Sequence, residues 1–241
     1  KKKLGQHFLT DLTIARRIAE TLDFQKYSNI IEIGPGMGVL TQFLVSETQS
    51  LNLVEIDSES VAYLKNTYDE NQVNLIEGDF LKLDFKNTFG EEPFAITGNF
   101  PYNISTQIVF KTLENRDQIP FFSGMFQKEV AERICEPPGS KKYGILSVLT
   151  QLFYKTELLF HVPPQVFKPP PKVDSAVIRL VRKTDFHLDC DEVLLFQLVK
   201  LSFQQRRKTL RNSLKTLNIP KMLTEDSIFD LRPEKLSGKD F

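Results

Sequence analysis

Asn99-Phe100-Pro101-Tyr102 sets an amide and an aromatic ring three residues apart, just after Thr97-Gly98 and the apolar run Pro93 to Ile96. That run reads as a short buried strand, so Asn99 falls where a strand ends. Pro101 cannot donate to a ladder and biases Phe100 toward extended geometry, which stops the strand and stiffens the turn. The Asn99 side-chain oxygen and the Phe100 carbonyl can together accept hydrogen bonds from an exocyclic amine, while the Tyr102 ring stacks on the base that carries it. Taken alone, such a tetrapeptide is as readily a structural turn with a packing tyrosine. Its meaning depends on what other strand ends present.

Three further strand ends carry polar or glycine-rich features. Asn29 to Ile33 runs into Gly34-Pro35-Gly36-Met37-Gly38, where Val39 stands in place of the dinucleotide fingerprint's third glycine. Leu51 to Ile56 carries Glu55, 21 residues past Gly34, placed to accept from the hydroxyls of a ribose. Val73 to Ile76 leads to Asp79, a candidate acceptor for an adenine amino group. No Lys or Arg lies in the glycine loop, which points away from phosphates and toward a nucleoside. S-adenosylmethionine, an adenosine joined to a sulfonium cation, fits this set, with Glu32 and its acidic surroundings tolerating the positive charge.

These features need a scaffold that aligns strand ends. Strand candidates at 29–33, 51–56, 73–76, 93–96, 121–126, 153–162 and 176–181 alternate with helical segments, among them Thr106–Leu113, Lys128–Ile134 and Ile145–Phe153. The alternation predicts an α/β fold with a mainly parallel sheet and right-handed crossovers. Thr10 or Asp11 is expected to cap a first helix through Ile14, Ile18 and Leu22, and Ser58 a later one. The prolines 163, 164, 169, 170 and 171 predict a stiff extended segment carrying Phe167. After Lys183 the pattern is wholly helical, so residues 1–183 are assigned to the sheet domain and 184–241 to a small C-terminal helical domain.

The 241 residues are 41% hydrophobic and 26% charged, ordinary for a soluble globular chain. No apolar run reaches a membrane span and no signal peptide opens the chain, so a cytoplasmic setting without membrane attachment is expected. The missing initiator Met suggests a trimmed start. Cys135 and Cys190, far apart, are expected to be buried thiols; His7, His161 and His187 lie singly, and no metal site is expected. The formal net charge is zero, but the charges are segregated. Ten acidic residues face three basic ones over 51–100, while 193–224 holds seven basic and no acidic residues. Arg206, Arg207, Lys208 and Arg211, with Lys215, are expected to line one side of a helix as a phosphate-binding face, and Lys168 and Lys172 extend the track.

Gly5 to Leu9, Glu32 to Gly38, Val54 to Asp57, Asn99 to Ser105, Val166 to Ala176 and Phe203 to Leu214 together resemble the ribosomal RNA adenine dimethyltransferases. The likeness is greatest to the bacterial branch that modifies two adjacent adenosines near the 3′ end of small-subunit rRNA, and it spans nearly the whole chain. It implies a Rossmann-like class I methyltransferase sheet, S-adenosyl-L-methionine as cofactor, and 16S rRNA in the small ribosomal subunit or its precursor as partner, met by a monomer. It implies cofactor contacts at His7, Leu9, Gly34, Glu55, Asp79 and Asn99. Target-base contacts are implied at Asn99, Tyr102 and Phe167, with Phe100 acting through its backbone carbonyl. His7 stands where many members carry Asn, and Phe100 where many carry Leu. The resemblance also implies that the chain stops inside the family's last helix. Two alternatives share these motifs in part. One is a macrolide-resistance type of methyltransferase acting on 23S rRNA; the other is a non-catalytic RNA-binding assembly factor on the same fold.

Overall fold

A computed structural model of the chain describes residues 7–185 and 187–241. Gly5, Gln6 and the basic residues 1–3 of the N-terminal arm (residues 1–9) lie outside the described residues.

The chain divides into two compact units, one formed by the described residues up to Ala131 with Thr156–Arg182, the other by Glu132–Lys155 with Lys183–Phe241. The first unit is built on a seven-stranded sheet. In chain order its strands are β2 (Asn29–Ile33), β3 (Ser50–Glu55), β4 (Asn74–Glu77), β5 (Ala95–Asn99), β6 (Phe121–Gln127), β7 (Tyr154–Val162) and β9 (Ser175–Arg182). They stand in the order β4-β3-β2-β5-β6-β9-β7. The pairings from β4 through β6 are parallel, and β9 runs antiparallel to β6. Strands β2 and β5 are neighbours, yet the chain leaves them toward opposite edges, so a crevice opens at their carboxyl ends. A separate two-stranded ribbon pairs β1 (Phe8–Leu9) antiparallel with β8 (Phe167–Lys168).

Local chemistry accounts for the element starts. Asp11 caps α1 (Leu12–Ala19) by accepting from the amides of Thr13 and Ile14, and the helix buries Ile14, Ala15, Ile18 and Ala19. Helix α3 (Ser58–Thr67) is capped one residue earlier than expected, by Asp57, whose carboxylate accepts from both the amide and the hydroxyl of Ser60. The other α-helices lying wholly within this unit are α2 (Thr41–Leu44), α4 (Phe85–Phe89) and α5 (Ser105–Glu114). One face of the sheet packs α1 and α2 through Ile30, Leu51, Leu53, Ala95, Phe121 and Met125.

On the other face, Phe100 is 1% exposed and lies against Phe122 and Phe126, each with ring centroids 4.9 Å away. Room for that ring comes from Gly124. A Cβ there would stand 2.4 Å from the Gly98 carbonyl and 2.4 Å from the Phe100 ring. The turn after β5 is therefore pinned into the sheet by its own buried side chain.

The second unit is helical. The boundary between the units falls inside α6 (Lys128–Cys135) and inside β7, so this unit takes in α7 (Ile145–Phe153) as well as α8 (Glu192–Gln204), α9 (Leu210–Ser213) and α10 (Lys221–Thr224). Phe153 of α7 meets Phe196 of α8, and Leu210, Leu214 and Leu236 form a small separate core. Neither cysteine is fully buried. Cys190 is exposed in the loop just before Asp191, the cap of α8, and Cys135 is half-buried, so the expectation of two buried thiols does not hold. Among the described residues no helix is long and apolar enough to cross a membrane.

Candidate active site

The carboxyl ends of β2, β3, β4 and β5 and residues His7 to Leu9 of the arm line one cleft of about 250 Å³. It contains every cofactor residue expected from the sequence: His7, Leu9, Gly34, Glu55, Asp79 and Asn99. Phe100, Pro101 and Tyr102 line it too. Backbone bonds lock the floor together. The Gly34 amide donates to the Val54 carbonyl at 2.9 Å, and the Gly78 amide to the Glu55 carbonyl at 2.8 Å.

Glu55 is buried and already engaged. Its Oε2 accepts from the Gly36 amide at 3.0 Å, and its Oε1 from the amides of Ile56 and Asp57, each at 2.8 Å. Oε2 is thus the oxygen with accepting capacity left. Gly36 makes this possible by a backbone turned to φ +56°, which brings its amide to the carboxylate. A Cβ there would also press on the Phe8 ring at 3.3 Å.

Glu32, at the end of β2, is buried beside the same cleft, and its Oε2 accepts from the Thr41 hydroxyl at 2.7 Å. Burial pushes its carboxyl up to about 8, against the lowering effect of the Thr41 bond, and the charge of Glu55 adds to the rise. The acidic side chains of Glu55 and Asp79, with no Lys or Arg in the described lining, favour a ligand that carries positive charge and no phosphates.

Asp79 caps the short 3₁₀ turn Phe80–Lys82 by accepting from the Leu81 amide at 3.0 Å. Lys111 of α5 holds the same loop from behind, donating to the carbonyls of Leu81 at 2.9 Å and Leu83 at 2.7 Å. Burial lowers the Lys111 ammonium from its usual range although Glu114, Asp79 and Asp84 lie near. No motif marks Lys111; a basic residue on the last turn of α5 reads as solvated until the loop is in place. The apolar walls Ile56, Leu81 and Met37 were likewise not expected, and Ile56 and Met37 stand exposed at the cleft.

At the substrate end, the Asn99 side-chain Nδ2 donates to the backbone carbonyl of His7 at 3.4 Å. The His7 ring is tied through Nδ1 to the Pro169 carbonyl at 2.8 Å and lies 5.5 Å from the Tyr102 ring, centroid to centroid. Tyr102 is half-buried, and its hydroxyl stands 2.6 Å from that of Ser175. Burial raises the Tyr102 phenol from its ordinary range, opposed by the Ser175 bond.

Phe167 sits elsewhere. It is 3% exposed, pairs with Leu9 across the ribbon and packs in the main apolar cluster, and it is not among the residues that line the cleft. Of the apolar pair Val166 and Phe167, Val166 is only partly buried against the same cluster, and the ring is the side chain that is fully buried.

The basic run also differs from expectation. Helix α8 ends at Gln204, and Arg206, Arg207 and Lys208 occupy the turn before α9 instead of a continuous helical face. The chain turns there so that Leu210 and Leu214 reach Leu236. Arg207 and Lys208 are exposed, while Arg206 donates to the Tyr143 carbonyl at 3.3 Å. Arg211 is committed within its own unit: Nε and Nη2 donate to Asp230 at 3.0 and 2.9 Å, and Nη1 to the Thr224 carbonyl. It ties α9 to the later turn that carries Asp230. Among the described residues no three His, Cys, Asp or Glu side chains are grouped to hold a metal ion.

Residues 1–230 match the family described as ribosomal RNA adenine dimethylase. The chain belongs to that family. The ribosomal RNA small subunit methyltransferase A of Flavobacterium johnsoniae is 60% identical over 241 residues, all of this chain and 92% of the relative. The protein of the same name from Bacteroides thetaiotaomicron is 57% identical over 244 residues, covering all of this chain and 91% of the relative. Among solved structures, a dimethyladenosine transferase from Plasmodium falciparum superposes with a TM-score of 0.80 at 28% identity, over 97% of this chain and 94% of that one. The 23S rRNA methyltransferase ErmE follows with a TM-score of 0.72 at 27% identity, over 95% of this chain and 96% of that one. The adenine dimethylase family thus shares the α/β methyltransferase sheet built here.

Proposed function

We propose that the chain dimethylates the N6 amino groups of two adjacent adenosines near the 3′ end of 16S rRNA, in the small ribosomal subunit or its precursor, with S-adenosyl-L-methionine. It does so as a cytoplasmic monomer. The observation that carries this reading is the fixed amide of Asn99, held by the His7 carbonyl in the same cleft as Glu55 and Tyr102. The 60% identity to a relative named for the small subunit favours that substrate over 23S rRNA.

The cleft fits the cofactor on its own chemistry: glycine backbone where a ligand lies close, an accepting Oε2 on Glu55, the Asp79 loop, and carboxyl groups suited to a cation. When bound, S-adenosylmethionine supplies an electrophilic methyl group. The protein's task is then to present a poor nucleophile, because the adenine amino lone pair is delocalised into the ring. Asn99 Oδ1 and the Phe100 carbonyl accept its hydrogens, favour a more pyramidal nitrogen and aim it. That makes catalysis mainly orientation and electrostatic stabilisation. The base is unpaired or flipped out of its helix to reach the site, and the Tyr102 ring stacks on it. In a second transfer the monomethylated amine has one hydrogen left, which engages one of the two acceptors and aims the lone pair.

Labelled S-adenosylmethionine supplied with undermethylated small subunits tests the reading. Label on adjacent adenines near the 3′ end is expected. Label only at other positions of 16S rRNA, no label at all, or label on 23S rRNA alone when large subunits are supplied in parallel, overturns it.

A further inference from the structure

The segment Val173 to Ala176 is among the residues that resemble the family, yet nothing in the mechanism above uses it. Within it, Ser175 is fully buried at the first position of β9, opposite Gln127 of β6. Its hydroxyl meets the Tyr102 phenol at 2.6 Å. The two residues are 73 positions apart and come from different parts of the sheet, one from the turn after β5 and the other from the antiparallel strand β9.

We infer that Ser175 is a positioning residue for the target base, fixing the Tyr102 ring on which the adenine stacks; this rests on the function proposed above. A tyrosine that serves only packing buries its ring. Here the residue is half-exposed and lines the cleft, while its tip is held by a buried hydroxyl. Stacking needs a ring of fixed plane, and a half-exposed ring left to itself samples several side-chain rotamers. The hydroxyl contact selects one of them.

The anchor itself is rigid. Ser175 is held in the β6–β9 ladder, and the adjoining Asp174 carbonyl accepts from the Lys128 amide at 2.9 Å. The Tyr102 main chain is fixed as well, since its carbonyl accepts from the Ser105 hydroxyl at 3.1 Å at the start of α5. The His7 ring, tilted 31° to the Tyr102 ring, bounds it on one flank. The ring is thus restrained at its base, its tip and one side. The remaining side faces the cleft.

The test compares Tyr102→Phe, Ser175→Ala and the double variant in single-turnover methylation of undermethylated small subunits at saturating cofactor. Each single change is expected to slow transfer about three- to tenfold, the effect of one hydrogen bond. The double variant should be no slower than the slower single, because both remove the same contact. Ser175→Thr, which keeps the hydroxyl, should restore most of the rate. Cofactor affinity by calorimetry should stay within about twofold throughout. If Ser175→Ala does not fold, Ser175→Cys takes its place, with a similar volume and a much weaker hydrogen-bonding group. A wild-type rate for the Ser175 variant, or losses that multiply in the double variant, overturns the inference alone. Wild-type protein that leaves small-subunit RNA unlabelled overturns the functional reading, and the inference with it.

Discussion

The amide of Asn99 is oriented by a residue 92 positions away: its Nδ2 donates to the His7 carbonyl, so its oxygen is the end left to accept from a ligand. His7 is in turn tied to the Pro169 carbonyl and adjoins the β1–β8 ribbon. The arm therefore does more than border the cleft. It sets which end of the amide meets the substrate.

Asn99→Ala should leave a folded protein that binds RNA but transfers methyl groups about 10²–10³ times more slowly, the usual cost of losing an oriented group at a developing charge. Asn99→Asp tests the orientation directly. It puts a second oxygen where Nδ2 now donates, against the His7 carbonyl, and should also be slow. Single-turnover rates decide, and near-normal transfer in Asn99→Ala would remove Asn99 from the mechanism.

Glu55→Ala should weaken S-adenosylmethionine binding by about 10- to 100-fold, consistent with loss of a charge-assisted acceptor worth roughly 1.5–3 kcal/mol. Because the carboxylate also satisfies the amides of Gly36, Ile56 and Asp57, the melting temperature should fall as well. Calorimetry and thermal melts separate the two effects. Unchanged affinity in a folded variant contradicts the ribose assignment.

The raised carboxyl of Glu32 predicts a pH signature. Unfolded, the group ionises near 4.5; folded, it stays protonated up to about 8. Between those values the folded state holds the extra proton. Stability therefore falls as pH rises through that window, by at most about 1.4 kcal/mol per unit, and levels off above it. Glu32→Gln should remove this slope and be the more stable protein at pH 8. Urea midpoints from pH 5 to 9 measure it, and parallel curves for the two proteins would show that Glu32 ionises normally.

Charge reversal at Arg207 and Lys208 should weaken RNA binding and flatten its salt dependence, by about 0.7–0.9 in log–log slope for each phosphate no longer neutralised. Arg211→Gln should leave that slope alone and slightly lower the melting temperature, since Asp230 and the Thr224 carbonyl lose their donor. The reverse result would place Arg211 on the RNA face.

What the sequence determined by itself was the order of the strands' endings. Periodicity, Pro101 and the glycines at 34, 36 and 38 are local signals, and they placed Asn99, Glu55 and Asp79 at strand ends without knowledge of the fold. Parallel alternation then required those ends to meet, and they do. Local signals also located the cap of α1, though for α3 they chose Ser58 over Asp57, because both residue types cap equally well on paper. Tertiary structure decided everything that depends on partners distant in the chain. The proline segment holds Phe167 with no period to reveal which way it turns, and only pairing with Leu9 buried it. Arg211 reads as one more cation in a basic run until Asp230 arrives from a later turn. Ser175 is an ordinary strand residue until the β6–β9 pairing brings it to the Tyr102 phenol. Propensity and period are set by chain neighbours, whereas the direction of a side chain's hydrogen bond is set by which strands lie side by side.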